Sequence, residues 1–213
     1  MLHKETIEPN SLELLKKLQS CNNLKDFHLA GGTSLALQIG HRISIDLDLF
    51  TQNDFDTNEI LEFLEVSFDF KLVFSSKNTL KGSIEDVNID IISHKYSLIN
   101  KPIEIEGVRL LSIEDISAMK LNAIAGNGTR SKDFVDIYFI LKQFSLSDLL
   151  DFYAIKYNSR NQLHVIKSLS YFDEISINDW PNMVLEKKLT LNQITKNILL
   201  NINQFNSCLK LDN

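Results

Sequence analysis

Two aspartates set one residue apart in an apolar run, Ile45-Asp46-Leu47-Asp48-Leu49-Phe50, constrain this chain more than any other feature. Side chains alternate between the two faces of a strand. Ile45, Leu47 and Leu49 are therefore predicted to face a core, with Asp46 and Asp48 side by side on the opposite face. Upstream, FHLA at 27–30 reads as a short strand that runs straight into Gly31-Gly32-Thr33. Helical spacing resumes at Leu35, Leu37 and Ile39 and stops at Gly40. Strand, turn, helix and strand in that order bring the glycine turn and the two carboxylates to one rim.

A turn that enters a helix presents unpaired backbone N–H groups and the positive end of the helix dipole, which together make a phosphate site. Glycine at Gly31 and Gly32 lets the backbone approach a ligand closely, and Thr33 or Ser34 can add a hydroxyl donor. The aspartate pair suits Mg2+, a hard cation that takes carboxylate and phosphate oxygens. A third acid, Asp90, lies in Val87-Asn88-Ile89-Asp90-Ile91-Ile92 and is predicted to point away from the core together with Asn88. Three carboxylates on neighbouring strands can hold two metal ions about 3.5–4 Å apart, as in two-metal phosphoryl transfer. Taken singly, each piece has a plain reading: a turn, a solvated pair of acids, an exposed acid on an edge strand. Their order and spacing give the combination its weight.

Around this centre the spacing predicts a helix over 11–20 capped by Asn10, and another over 57–66 with Asp56 and Glu59 in capping-box register. It predicts strands at 70–75, 79–84 and 87–92, with Glu85-Asp86 at a turn, and a hairpin over 103–111 around Gly107. After Ser112 the texture becomes helical. Ser112 and Asp115 have capping-box spacing ahead of a helix to about Ala125, Ser131 caps the next helix to about Gln143, and helical spacing continues near 147–157, 161–172 and 190–203. The expected fold is α+β: a small mixed sheet flanked by helices in residues 1–111, then a helical domain over 112–213.

Charge narrows the function. Residues 1–110 carry 11 Lys+Arg against 17 Asp+Glu, and residues 111–213 carry 11 of each. A nucleic-acid binder that works by bulk electrostatics is basic, so RNA must be held here by a local patch or with the help of metal ions. Cys21 and Cys208 lie at opposite ends of the chain, which points to a reducing compartment without a disulfide framework. No run is apolar enough for a signal peptide or a membrane span, and a cytoplasmic location is expected. His28 reads as structural, and His94 and His164 lack ligand spacing, so zinc is not expected.

The stretch HLAGGTSLALQIGHRISIDLDLF at 28–50 resembles the first two motifs of the AbiEii/AbiGii toxin family of nucleotidyltransferases, within the DNA polymerase β-like superfamily. Lys120-Leu121-Asn122-Ala123-Ile124 and Arg130-Ser131-Lys132-Asp133-Phe134-Val135-Asp136-Ile137-Tyr138 resemble the downstream motifs. The resemblance covers about residues 28–140. Ser34 stands where the family often has alanine. The resemblance implies that Gly31, Gly32 and Thr33 form the nucleotide turn, next to which Ser34 is also expected to bind nucleotide, and that Asp46 and Asp48 bind metal. It implies that Asp90 is the third carboxylate, able to take the acceptor's proton. Lys120 then reaches the triphosphate, and Asp133 and Asp136 are the acids of the last motif, Asp133 with the catalytic set and Asp136 with the nucleotide.

On the residues alone, Lys120 sits where a solvated mid-helix lysine is usual. Asp133 and Asp136 share one helix face, where Lys132 can pair with Asp136 at i,i+4. Arg42 follows the phosphate helix and can meet a phosphate or buttress the aspartates by a charge-assisted bond, the second being favoured by its position four residues before Asp46. The resulting expectation is Mg2+-dependent transfer of a nucleoside monophosphate from an NTP to a hydroxyl. By resemblance, the acceptor is the 3′ end of tRNA, the setting is a toxin–antitoxin or phage-defence system, and an antitoxin protein is a partner. Transfer to a protein or a small molecule, and a non-catalytic nucleotide-binding scaffold, are the alternatives.

Overall fold

A computed structural model describes residues 1–159 and 161–211, and the chain divides into two compact units, Met1–Ser112 and Ile113–Asn213. The first unit is built on a mixed sheet. Among the described residues its strands are β1 (His28–Leu29), β2 (Leu47–Thr51), β3 (Lys71–Ser76), β4 (Thr79–Ile84), β5 (Val87–Ser93), β6 (Ile103–Ile105) and β7 (Val108–Leu110), in the spatial order β3-β4-β5-β2-β1-β7-β6. The centre holds the chemistry-bearing strands. β2 runs parallel to β5, with Asp48 opposite Asp90, and antiparallel to β1, with His28 opposite Phe50 and Leu29 opposite Leu49.

The alternation in β2 does what the pattern predicts within the strand: Leu47 and Leu49 are fully buried, while Asp48 and Phe50 keep partial exposure on the other face. Leu29, Leu80, Ile89 and Ile91 complete the same apolar layer. The strand is shorter than expected. Ile45, expected in the core, is 54% exposed, and pairing begins only at Leu47. At that point the Asp46 carbonyl accepts a hydrogen bond from the Thr33 hydroxyl rather than from a ladder partner.

Helices α1 (Pro9–Ser20), α2 (Gly31–Ile39) and α3 (Thr57–Phe68) belong to this unit. α1 starts at Pro9, behind Glu8 as N-cap, rather than behind Asn10, because proline's fixed φ suits the first helical position. Its Leu12, Leu15 and Leu18 stripe is buried as expected. α2 also starts early: Gly31-Gly32-Thr33 is the first turn of the helix rather than a turn ahead of it. Gly40 ends α2 in the left-handed region at φ 72. Asp56 caps α3 by accepting the N–H groups of Asn58 and Glu59. The tight turns at Glu85-Asp86 and Glu106-Gly107 have positive φ at both central residues, the geometry that matches strand twist in two-residue hairpins.

The second unit is helical, with α4 (Ile113–Gly126), α5 (Ser131–Ile140), α6 (Leu146–Tyr157), α7 (Leu163–Leu169) and α8 (Leu191–Leu211). α4 packs against α5, α6 and α7. Ile116, Leu121, Phe134, Ile137, Leu149, Val165 and Ile194 are buried in its core. Ser131 is the first residue of α5 rather than its cap, and its hydroxyl bonds to Asp179 at 2.8 Å. Asp115, read from sequence as part of a cap, is buried in an ion pair with Lys156 at 2.7 Å. No helix among the described residues is long and apolar enough to cross a membrane.

Candidate active site

The site grows from the junction of β1 with α2. Ala30 N–H donates to the Asp48 carbonyl at 2.8 Å, which ties the end of β1 to β2 just before the helix begins. Gly31 then takes φ +64, and a Cβ built on it would lie 2.0 Å from Asp48 Oδ2. The Asp48 carboxylate thus rests on the backbone of the first helical residue. At Gly32 a Cβ would lie 2.3 Å from Arg42 Nη2. A carboxylate and a guanidinium therefore occupy the two side-chain positions that consecutive glycines leave open, at a helix N-terminus whose first N–H groups have no partner within the helix.

Thr33 and Ser34 turn inward. Thr33 is 1% exposed, and its hydroxyl bonds to the Asp46 carbonyl and lies 2.9 Å from Ser44 Oγ. Ser34 is fully buried and its Oγ accepts from Gln38 Nε2 at 3.2 Å. The Thr33 hydroxyl fixes the loop that carries Asp46, while Ser34 stays within α2. Asp46 itself accepts from Asn88 Nδ2 at 3.0 Å, so β5 steadies its carboxylate. Arg42 is 3% exposed and donates from Nη1 to the Ile43 carbonyl at 3.0 Å, which holds the guanidinium against the glycine turn.

Asp90 lies beside Asp48 across the parallel β2–β5 pair, and its Oδ2 is ion-paired with Lys81 of β4. Sequence reasoning missed Lys81. The signal was present, because an antiparallel β4–β5 hairpin about the Glu85-Asp86 turn puts Lys81 opposite Asp90. Among the described residues no group of three or more His, Cys, Asp or Glu side chains stands ready to hold a metal ion. The donor set nevertheless fits Mg2+ in its usual protein setting, one or two carboxylates completed by substrate phosphates and water rather than an all-protein cage. Asp46 and Asp48 supply hard oxygens, and the Gly31 cradle holds one of them at the helix terminus where phosphate oxygens are favoured.

The second unit carries its own ionic cluster. Lys120 Nζ bonds to Asp133 Oδ1 at 2.6 Å and lies 2.7 Å from Asp136 Oδ2. Residue exposures of 8%, 2% and 0% put this cluster inside the helical core. Arg130 Nε stands 3.8 Å from Asp133 Oδ2. Lys120 is therefore not the solvated lysine that its helix position suggests. The two acids of α5 are gathered round one ammonium instead of lining a solvated face. Periodicity could not reveal this, because Lys120 and its partners lie on different helices.

A family model described as nucleotidyl transferase AbiEii toxin, type IV TA system, matches residues 13–106 and 83–193. An uncharacterized protein of Aquifex aeolicus (strain VF5), aq_aa25, is 32% identical over 168 residues, which is 76% of this chain and 81% of that protein. Two crystal structures share the fold. A protein of H. pylori solved as a nucleotidyltransferase candidate superposes with a TM-score of 0.54 at 18% identity, over 97% of this chain and 99% of that one. JHP933 from Helicobacter pylori gives 0.51 at 19% identity, over 97% and 100%.

Proposed function

The chain belongs to the AbiEii family of nucleotidyltransferase toxins, and from that premise we propose that it moves a nucleoside monophosphate from an NTP to a hydroxyl acceptor in a Mg2+-dependent reaction. The observation that supports this reading is the Asp48 carboxylate laid against Gly31 at the N-terminus of α2, a junction suited to a metal ion and a phosphate together. In the reaction the acceptor oxygen bonds to the α-phosphorus. The bond from that phosphorus to the α–β bridging oxygen breaks, pyrophosphate leaves, and the hydroxyl proton passes to a carboxylate.

Gly31 and Gly32 N–H groups are assigned to the phosphate oxygens, with Arg42 as the adjoining positive charge. Asp46 and Asp48 would hold Mg2+, which supplies charge neutralisation for the triphosphate and its transition state. Asp90 is assigned the proton, and Lys81 keeps its carboxylate oriented. Thr33 acts by fixing the loop rather than by touching substrate.

The acceptor we assign is the 3′ end of tRNA. The type IV toxin–antitoxin description of the family supports a toxin whose partner is an antitoxin protein. The acid excess of the first half of the chain, 17 Asp+Glu against 11 Lys+Arg, favours a second reading, transfer to a protein hydroxyl. Incubation with each labelled NTP, Mg2+, total tRNA and a cell protein fraction separates the two. Label in RNA is expected. Label confined to protein replaces the acceptor, and no label from folded protein with any NTP removes the activity.

A further inference from the structure

Two residues along β2 from Asp48, the same sheet face changes from acidic to aromatic. Phe50 follows Asp48 on that face, about 7 Å further along the strand. His28 stands opposite Phe50 on β1. His94, which follows β5, stacks on Phe50 with ring centroids 5.6 Å apart and planes at 28°. Tyr96 continues the series 4.8 Å from His94 and is half exposed. Phe50 and His94 border a depression of about 140 Å3 that Asp26, His28, Gln52 and Leu98 also line, and Tyr96 backs His94 from outside that lining. A cavity of roughly 150 Å3 admits one benzene-sized ring.

We propose that this depression is a nucleobase subsite, in which a planar base stacks on the Phe50–His94 pair, with Tyr96 bracing His94, while its sugar and phosphate reach toward Asp48. The inference rests on the nucleotidyltransfer reading and assigns to that site the ring it recognises. Stacking on aromatic and imidazole rings is a recurrent way for proteins to hold unpaired bases, and its contribution does not depend on the net charge of the unit. Asp26, His28 and Gln52 offer acceptor and donor groups at the rim for the base edge. Burial pushes the His28 imidazole below its ordinary pKa, Arg109 nearby adds to this, and the ring is then neutral and able to accept or donate.

The test combines binding with kinetics, using the full chain. Saturation-transfer NMR with uridine, and with ribose 5-phosphate as the baseless control, reads the subsite without any need for turnover. Wild type is expected to saturate the uridine base protons. The His94→Ala/Tyr96→Ala double variant, folded by circular dichroism, is expected to lose that signal, and His94→Phe to keep it. Absence of base saturation in wild type, or its persistence in the double variant, overturns the proposal.

The kinetic arm identifies the source of the base. The double variant is expected to raise one KM by about tenfold: that of the NTP if the donor base sits here, or that of tRNA if the acceptor's terminal base does. An unchanged pair of KM values overturns the proposal even where transfer itself proceeds. Failure of transfer in wild type rejects the enzymatic reading and leaves uridine binding to decide the subsite.

Discussion

Asp48 Oδ2 occupies the space in which a side chain on Gly31 would begin, with 2.0 Å between the carboxylate oxygen and an ideal Cβ. The glycine is therefore required twice, by its φ of +64 and by the carboxylate packed on it. The Asp48 carboxylate and the helix terminus are positioned by one contact, so a change in either moves both.

Gly31→Ala should separate them. The left-handed backbone alone costs an L residue about 1–2 kcal/mol, and the new methyl must also push Asp48 away from the helix. Transfer activity is expected to fall below detection while the far-UV circular dichroism spectrum is retained and Tm drops by several degrees. Full activity in Gly31→Ala would show that Asp48 does not need its place against the turn.

Thr33→Val keeps the shape of the side chain and removes the hydroxyl that holds the Asp46 carbonyl. Leaving that carbonyl without its donor costs about 1–3 kcal/mol. Because the loop also carries the Asp46 carboxylate, kcat should fall with little change in NTP binding, and Thr33→Ser should restore it. Steady-state kinetics on the two variants check this.

The buried ion pairs of the helical unit make a thermodynamic prediction. Lys156→Met takes the ammonium from Asp115 and Lys120→Met takes it from Asp133 and Asp136, each at a cost of up to about 3–5 kcal/mol, as expected when one member of a buried ion pair is removed. The double change Lys156→Met/Asp115→Leu, which removes both charges, should recover most of the loss. Urea denaturation of the three variants measures it. A role of Lys120 toward the triphosphate would appear in Lys120→Arg as a raised NTP KM in a protein of nearly normal stability.

His28 predicts the acid side of the stability profile. Burial, reinforced by Arg109, lowers its folded-state pKa from the ordinary 6.5. The unfolded chain then binds the extra proton first as pH falls. Its contribution is fully present above the unfolded-state pKa and is lost as pH drops through the folded-state value. His28→Gln should flatten the decline in unfolding free energy below about pH 6.5, the ordinary histidine range. An unchanged slope would show that the imidazole does not titrate with folding.

The strand alternation in Leu47-Asp48-Leu49 and the glycine stop at Gly40 were legible because each is a local pattern with a local cause. The Glu85-Asp86 hairpin was legible for the same reason, whereas the place of Asp90 beside Asp48 depends on the long-range β2–β5 pairing. Ile45 escaped because pairing begins only after it, at a point where the Asp46 carbonyl accepts from a side chain distant in sequence, the Thr33 hydroxyl. Pro9 outranked Asn10 as the start of α1 through its fixed φ. The burial of Lys120 and Lys156 was hidden because their carboxylates sit on other helices, and one-dimensional spacing reports faces rather than what those faces meet.

Titration of the NTP into the protein by calorimetry, with and without Mg2+ and on both wild type and Asp48→Ala, tests most directly whether metal and triphosphate meet at the Gly31 turn. Tight binding in wild type that requires Mg2+ and is lost in folded Asp48→Ala is the predicted result. Binding that is equal with and without Mg2+ and unaltered by Asp48→Ala would contradict it.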